Sequence, residues 1–186
     1  MTLNIPNALT FSRLLFIPVF LYALFAGDFE ARWLSPLAFG LAALTDCFDG
    51  YFARKLNQET EFGRLADPTI DRIFITVAAV AVYLKFQAVI PVWVVFLIVG
   101  RDALMSLGWM VLSRYGVKLR VSMLGKTATG FLMSAFFILL ADVELNMLVV
   151  RSAGLLTLYV GAVLSVISGY IYLKMGISTL VSKQAN

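Results

Sequence analysis

Residues 148–174 read LVVRSAGLLTLYVGAVLSVISGYIYLK, and no charged residue lies between Arg151 and Lys174. A helix needs about 20 apolar residues to cross the hydrocarbon core of a bilayer. This stretch is long enough, and it ends in aromatic and basic residues of the kind found at membrane surfaces. It therefore predicts a membrane-spanning helix.

Five other stretches have the same character, and the composition agrees with them. The chain has 186 residues, of which 61% are hydrophobic and 14% charged, and its mean hydropathy is +0.89. A soluble domain of this size needs more polar surface to cover its core. We expect an all-α polytopic membrane protein: one domain over residues 1–186, with six transmembrane helices in a bundle and an N-terminal interfacial segment. The predicted spans are 9–26, 33–52, 70–86, 89–112, 123–141 and 148–174.

The basic residues predict how these spans are oriented. Cytoplasmic loops carry an excess of Lys and Arg, which places both termini and two basic loops in the cytoplasm. The net charge of +4 is small for a nucleic-acid binder, so no nucleic-acid partner is expected, but it suits a protein facing anionic lipids. Nine cations lie on the predicted inner side (Arg54, Lys55, Arg64, Arg114, Lys118, Arg120, Lys126, Lys174, Lys183) and three on the outer side (Arg32, Lys85, Arg151).

Two residue types restrict the chemistry available to the chain. Histidine is absent, which excludes Ser-His-Asp catalysis, histidine bases and histidine zinc sites. Cys47 is the only cysteine, so neither an intrachain disulfide nor a thiolate metal cluster can form. Any reaction must depend on carboxylates, hydroxyls, Lys, Arg or metal ions.

Four aspartates have the spacing of a catalytic site. Asp46 and Asp49 are three positions apart, and Asp67 and Asp71 are four apart. Either spacing puts two side chains on one face of a helix. The pairs lie near the same ends of the second and third spans, and the loop between these spans is short. We therefore expect antiparallel neighbouring helices whose four carboxylates converge.

Converging anions at a membrane boundary need to be neutralised. Nearby arginines are not spaced to pair with all four carboxylates, whereas hard oxygen ligands favour Mg²⁺ or Mn²⁺, and two bridged ions would act on a phosphate. The alternative is a solvated cluster of surface charges. Gly50, Ala53 and Gly63 leave room for a ligand near the backbone, although small residues also serve helix packing.

The pattern Asp46-x2-Asp49-Gly50-x2-Ala53-Arg54-x8-Gly63-x3-Asp67-x3-Asp71 resembles the signature of the CDP-alcohol phosphotransferase (CDP-alcohol phosphatidyltransferase) family. Eight residues over 26 positions agree with it. Residues 5–10 and Arg13 look like the start of the branch that contains phosphatidylglycerophosphate and cardiolipin synthases. The resemblance covers essentially the whole chain.

The resemblance implies a metal-dependent transferase, usually a homodimer in a lipid membrane, with a polar cavity open to the cytoplasm. Asp46, Asp49 and Asp67 would bind metal, with Asp71 also near the ions. Asp71 would take the proton from an acceptor hydroxyl that attacks CDP-diacylglycerol, and CMP would leave. The CDP group would be bound by Gly50, Ala53, Arg54 and Gly63.

Basic residues further along the chain are candidates for binding the acceptor: Arg101, Arg120 and Lys126. Arg101 is followed by Asp102 inside the fourth span, where ionisable residues are often functional. The alternative is a structural Arg–Asp pair that joins helices. For the basic loop, the alternative is the ordinary cytoplasmic excess of positive charge.

The acceptor itself is predicted from the resemblance. Phosphatidylglycerophosphate synthases usually have a second Lys where this chain has Ala128, and an Arg where it has Trp109. These departures favour phosphatidylglycerol as the acceptor, giving cardiolipin. The alternative is glycerol-3-phosphate, giving phosphatidylglycerophosphate, and a remote alternative is a non-enzymatic membrane transporter.

Overall fold

The computed structural model describes residues 5–26, 33–56, 61–114 and 122–184, with side chains for 15–26, 33–45, 70–112 and 122–179. The regular secondary structure within these ranges is helical, without strands. The expected all-α bundle is confirmed. Its helices are α1 Ile5–Phe25, α2 Leu34–Leu56, α3 Glu61–Lys85, α4 Val92–Arg114, α5 Met123–Leu145 and α6 Leu148–Gln184.

Two helices extend well beyond the predicted spans. α3 begins at Glu61 rather than at residue 70, and α6 continues to Gln184 rather than ending at residue 174. Hydropathy marks the apolar part of a helix, while the backbone hydrogen bonds continue into polar sequence. Gly63, which precedes the predicted third span, therefore lies in the first turn of α3.

Within the described ranges, three helical segments are long and apolar enough to cross a membrane: Val92–Leu112, Met123–Leu145 and Leu148–Thr179. Shorter apolar segments, Leu15–Phe25 and Leu34–Thr45, belong to α1 and α2. That α1, α2 and α3 also span the bilayer stays a prediction. From Ile5 onward, the expected interfacial segment is part of α1.

Helices α5 and α6 form a tightly packed hairpin. Asn146, between them, has a φ of 46°, which allows the chain to reverse. At Gly154, an added Cβ would lie 2.8 Å from Leu139 Cγ, and at Gly161 it would lie 3.1 Å from the backbone nitrogen of Leu132. The missing side chains let the two helices approach closely.

The turn end of this hairpin is fastened by an ion pair whose carboxylate is buried. The carboxylate of Asp142 is fully buried and accepts hydrogen bonds from Arg151 Nε at 2.7 Å and from the Met147 backbone N–H at 3.0 Å. The Arg151 guanidinium also lies over the ring of Phe86, 5.8 Å from its centroid. This contact ties the hairpin to the end of α3.

Four phenylalanines from different helices form the centre of the core. Phe39 of α2 is surrounded by Phe20 of α1, Phe74 of α3 and Phe136 of α5, with ring centroids 5.9, 5.1 and 6.4 Å away. All four side chains are about 1% exposed. Helix α4 packs against α3 and α6 at the side of this core.

Candidate active site

The stacked rings of Phe39 and Phe74 set the register between α2 and α3. From these rings, α2 runs 17 residues to Leu56 and α3 runs back 13 residues to Glu61. These distances are about 25 and 20 Å of helix at about 1.5 Å per residue. The two helix ends are only five residues apart in sequence, so both helices must leave the stack in the same direction. The predicted antiparallel arrangement follows from this contact.

Helical periodicity then relates the aspartates to the stack. Position 46 lies two turns beyond Phe39 on the same face of α2, and positions 71 and 67 lie one and two turns before Phe74 on α3. The faces that carry the aspartate pairs are therefore predicted to approach each other at one end of the bundle.

The side chain of Asp71 is half-buried. Asp46, Asp49 and Asp67 lie in helical backbone, and their side chains fall outside the described residues. The same is true of Gly50, Ala53 and Arg54 in α2 and of Gly63 in α3. The side chains that are described include no group of three metal-ligating residues, but they include only one of these four aspartates. Convergence on a metal therefore stays a prediction.

A second polar cluster surrounds Arg101 in the middle of α4. Its guanidinium Nη1 donates to Asp102 Oδ1 at 2.6 Å, and its Nη2 donates to Ser168 Oγ of α6 at 3.3 Å and to the Gly125 carbonyl of α5 at 3.4 Å. The side chains of Arg101 and Asp102 are 9% and 6% exposed. Arg101 therefore joins three helices in this structure, which agrees with the alternative of a structural Arg–Asp pair. That it also binds an acceptor stays a prediction.

The two polar regions are linked through Arg72, the residue after Asp71. Arg72 Nη1 donates to Ser106 Oγ of α4, and Ser106 Oγ donates to the Asp102 carbonyl at 2.7 Å. Asp102, Arg101 and Tyr172 lie close enough to Arg72 to interact with it electrostatically. A set of polar contacts thus runs from Arg72, the residue after Asp71 on α3, through α4, to Ser168 on α6.

The first turn of α5 brings Lys126 to this region. Ser122 caps the helix by accepting a hydrogen bond from the Gly125 N–H, and the Gly125 carbonyl accepts from Arg101. Lys126 follows directly and is exposed. Arg120 lies outside the described residues. The first turn of α5 therefore both contacts Arg101 and carries Lys126, two of the three predicted acceptor residues.

Sequence reasoning missed Arg72, Ser106, Ser168 and Tyr172 as members of this cluster. Arg72 could have been selected as an ionisable residue in an apolar helix, next to a candidate base. Ser168 and Tyr172 are one turn apart on α6, a polar face in an apolar helix. What sequence could not reveal is their partner, because Ser168 and Arg101 are 67 positions apart.

Comparison with known protein families agrees with this architecture. The family model described as CDP-alcohol phosphatidyltransferase matches residues 3–167. The chain belongs to the CDP-alcohol phosphatidyltransferase family. The family resemblance drawn from the aspartate signature is thereby confirmed, and the protein is a transferase of this family, with helices suited to a membrane.

Individual relatives carry two names within this family. A CDP-diacylglycerol–glycerol-3-phosphate 3-phosphatidyltransferase of Rickettsia bellii is 37% identical over 172 residues, covering 92% of this chain and 94% of the relative. The protein of the same name from Bacillus subtilis is 31% identical and covers 91% and 93%. A cardiolipin synthase (CMP-forming) of Streptomyces coelicolor is 36% identical over 143 residues, covering 74% of this chain and 65% of that protein.

Proposed function

We propose that this protein transfers the phosphatidyl group of CDP-diacylglycerol to a hydroxyl of glycerol-3-phosphate, giving phosphatidylglycerophosphate and CMP. The observation that carries this choice is the set of relatives named for the same reaction, which match over more than 90% of both chains. This acceptor was the alternative in the sequence analysis. The residue-level departures at positions 109 and 128 carry less weight than a likeness over nearly the full length.

Asp71 is the proposed base. Its carboxylate takes the proton from the acceptor hydroxyl, whose oxygen forms a bond to the phosphorus that carries diacylglycerol. The bond from this phosphorus to the oxygen bridging it to CMP breaks, and CMP leaves with that electron pair. A base acting in this way contributes about 100- to 10,000-fold to a rate.

The donor set fits a divalent cation. Asp46, Asp49, Asp67 and Asp71 offer only carboxylate oxygens. The stacking of Phe39 on Phe74, which brings α2 beside α3, supports their convergence. We propose that these four residues hold two Mg²⁺ or Mn²⁺ ions. When bound, such ions neutralise diphosphate charge and stabilise the departing CMP.

Other residues bind the two substrates. Arg54 contacts the diphosphate of CDP-diacylglycerol, while Gly50, Ala53 and Gly63 leave room for the CDP group against the backbone. The acceptor phosphate is bound by Arg101, Arg120 and Lys126. The enzyme acts as a homodimer at the cytoplasmic face of the cytoplasmic membrane, where both substrates are reached.

A second candidate acceptor is phosphatidylglycerol, which would give cardiolipin. Two features support it: Ala128 is completely buried and offers no charge, and Trp109 is 47% exposed where a cation would suit a phosphate dianion. Phosphatidylglycerol carries one phosphodiester charge and apolar tails, so it needs fewer cations. The cardiolipin synthase among the relatives agrees with this candidate.

The decisive experiment offers purified protein CDP-diacylglycerol with glycerol-3-phosphate in one reaction and phosphatidylglycerol in another. CMP release and thin-layer chromatography of the lipids are measured with Mg²⁺ and again after chelation with EDTA. We expect phosphatidylglycerophosphate in the first reaction and no turnover with EDTA. Product only in the second reaction would establish the cardiolipin alternative, and undiminished turnover with EDTA would overturn the metal proposal.

A further inference from the structure

The guanidinium of Arg101 is held by the protein at both of its terminal nitrogens. Nη1 is paired with Asp102, and Nη2 is shared between Ser168 Oγ and the Gly125 carbonyl. The third nitrogen, Nε, is buried, and its N–H has no hydrogen-bond partner among the described residues. A buried donor without a partner costs free energy, so it is the donor that a ligand oxygen would satisfy.

Ser168 is oriented by its own helix to receive Arg101. Its hydroxyl donates to the Ser165 carbonyl at 2.9 Å, and the side chain is 1% exposed. A hydroxyl has one hydrogen to donate, so the Ser168 oxygen is left to accept, and it accepts from Arg101 Nη2. The hydrogen bond within α6 therefore fixes the direction of the contact to α4.

The arginine stem packs beside the backbone of the neighbouring glycine. A Cβ added at Gly169 would lie 3.4 Å from Arg101 Cγ, which is an ordinary van der Waals contact. Position 168 thus holds the guanidinium, and the backbone at position 169 packs beside the stem that carries it.

We infer that Ser168 is a positioning residue for acceptor binding: it fixes the Arg101 guanidinium so that its remaining Nε–H is available to a phosphate oxygen of the acceptor. This inference rests on the proposed function, in which Arg101 binds that phosphate. Charged donors bind phosphate oxygens most strongly when their geometry is fixed beforehand.

The test compares Ser168→Ala with Ser168→Thr, which keeps the hydroxyl. The matched control is Ser134→Ala, because Ser134 is exposed and bonds only to the Gly130 carbonyl of its own helix among the contacts seen. Apparent KM values for glycerol-3-phosphate and CDP-diacylglycerol, kcat and the Tm in detergent are measured for each variant.

Ser168→Ala should raise the KM for glycerol-3-phosphate about 10-fold, the effect of losing one hydrogen bond to a charged group. The KM for CDP-diacylglycerol should stay within about 2-fold, and Ser168→Thr should recover most of the loss. A purely structural role would lower the Tm and change both substrates together, which would overturn the inference.

Activity of the wild-type protein distinguishes failure of the Ser168 role from failure of the proposed function. Wild-type turnover with glycerol-3-phosphate, together with an unchanged acceptor KM in Ser168→Ala, would overturn the role of Ser168 and leave the proposed function standing. A wild-type protein that released no CMP with this acceptor would overturn both.

Discussion

At the scale of single residues, Asp71 has two proposed roles that oppose each other. A base must be able to take up a proton, whereas a nearby divalent cation favours the ionised carboxylate. Asp71 is the last of the four aspartates along the chain and is half-buried. Because a base must keep an oxygen available for the acceptor proton, we expect Asp71 to be the ligand least tightly held by metal.

Asp71→Asn tests this role. The amide keeps the size of the side chain but cannot act as a base, so the turnover rate should fall at least about 100-fold. The rate is measured as CMP release from CDP-diacylglycerol, at saturating Mg²⁺ so that weakened metal binding is not limiting. The Tm in detergent should stay within about 3 °C, because the substitution changes no volume in the core.

The control is Glu144→Gln, which also neutralises a carboxylate but lies at the far end of α5, near the Asp142–Arg151 pair. This variant should keep its activity. If Asp71→Asn also turned over at near the wild-type rate, another group would have to be the base.

Residue spacing predicted the aspartate pairs, but not what surrounds them. A separation of three or four positions is a local property, and it is enough to place two carboxylates on one helix face. Arg72, Ser106 and Ser168 meet only because α3, α4 and α6 pack together. Such contacts depend on how the helices pack in three dimensions, and residue spacing along the chain does not reveal that packing.

At the scale of helices, the apolar stretches predicted six elements in the correct order. They placed the start of α3 too late and the end of α6 too early. The first turns of α3 contain Glu61, Arg64 and Asp67, so hydropathy placed its start too late. This matters for the proposed function, because Gly63 lies within a helix. The residues proposed to bind the CDP group therefore all lie in helical backbone, in α2 and in α3.

The α5–α6 contact provides a test of packing. In Gly154→Ala the new methyl group would lie 2.8 Å from Leu139 Cγ, a buried atom with no room to move. Overpacking of this kind costs about 1 to 3 kcal/mol. The free energy of unfolding, measured by denaturant titration in mixed micelles, should fall by this amount.

Gly130→Ala is the matched control in the same hairpin. A Cβ at Gly130 meets nothing within 4 Å, so this variant should be neutral, or more stable by up to about 1 kcal/mol through helix propensity. If both substitutions destabilised the protein equally, Gly154 would not be a residue that allows the close approach of α5 and α6.

At the scale of the whole molecule, the bundle joins a polar end to an apolar body. The four aspartate positions in α2 and α3, and the first turn of α5 with Lys126, lie in the helix portions that the excess of Lys and Arg predicts to be nearest the cytoplasm. The Asp142–Arg151 pair and the α3–α4 turn lie at the opposite end, joined by the contact of Arg151 with Phe86. With this predicted orientation, a lipid substrate in the inner leaflet would meet the proposed site at its own head-group level.

This orientation predicts a definite pattern of reporter fusions. Three spans, α4 to α6, separate Gln87 in the α3–α4 turn from the C-terminus, and an odd number of crossings puts these two points on opposite sides. The excess of Lys and Arg places the C-terminus inside. Green fluorescent protein fused after Asn186 should fluoresce, and alkaline phosphatase fused after Gln87 should be active, since each reporter works on only one side of the membrane. The reverse pattern would overturn the cytoplasmic assignment of the active site, while two reporters on the same side would overturn the three spans themselves.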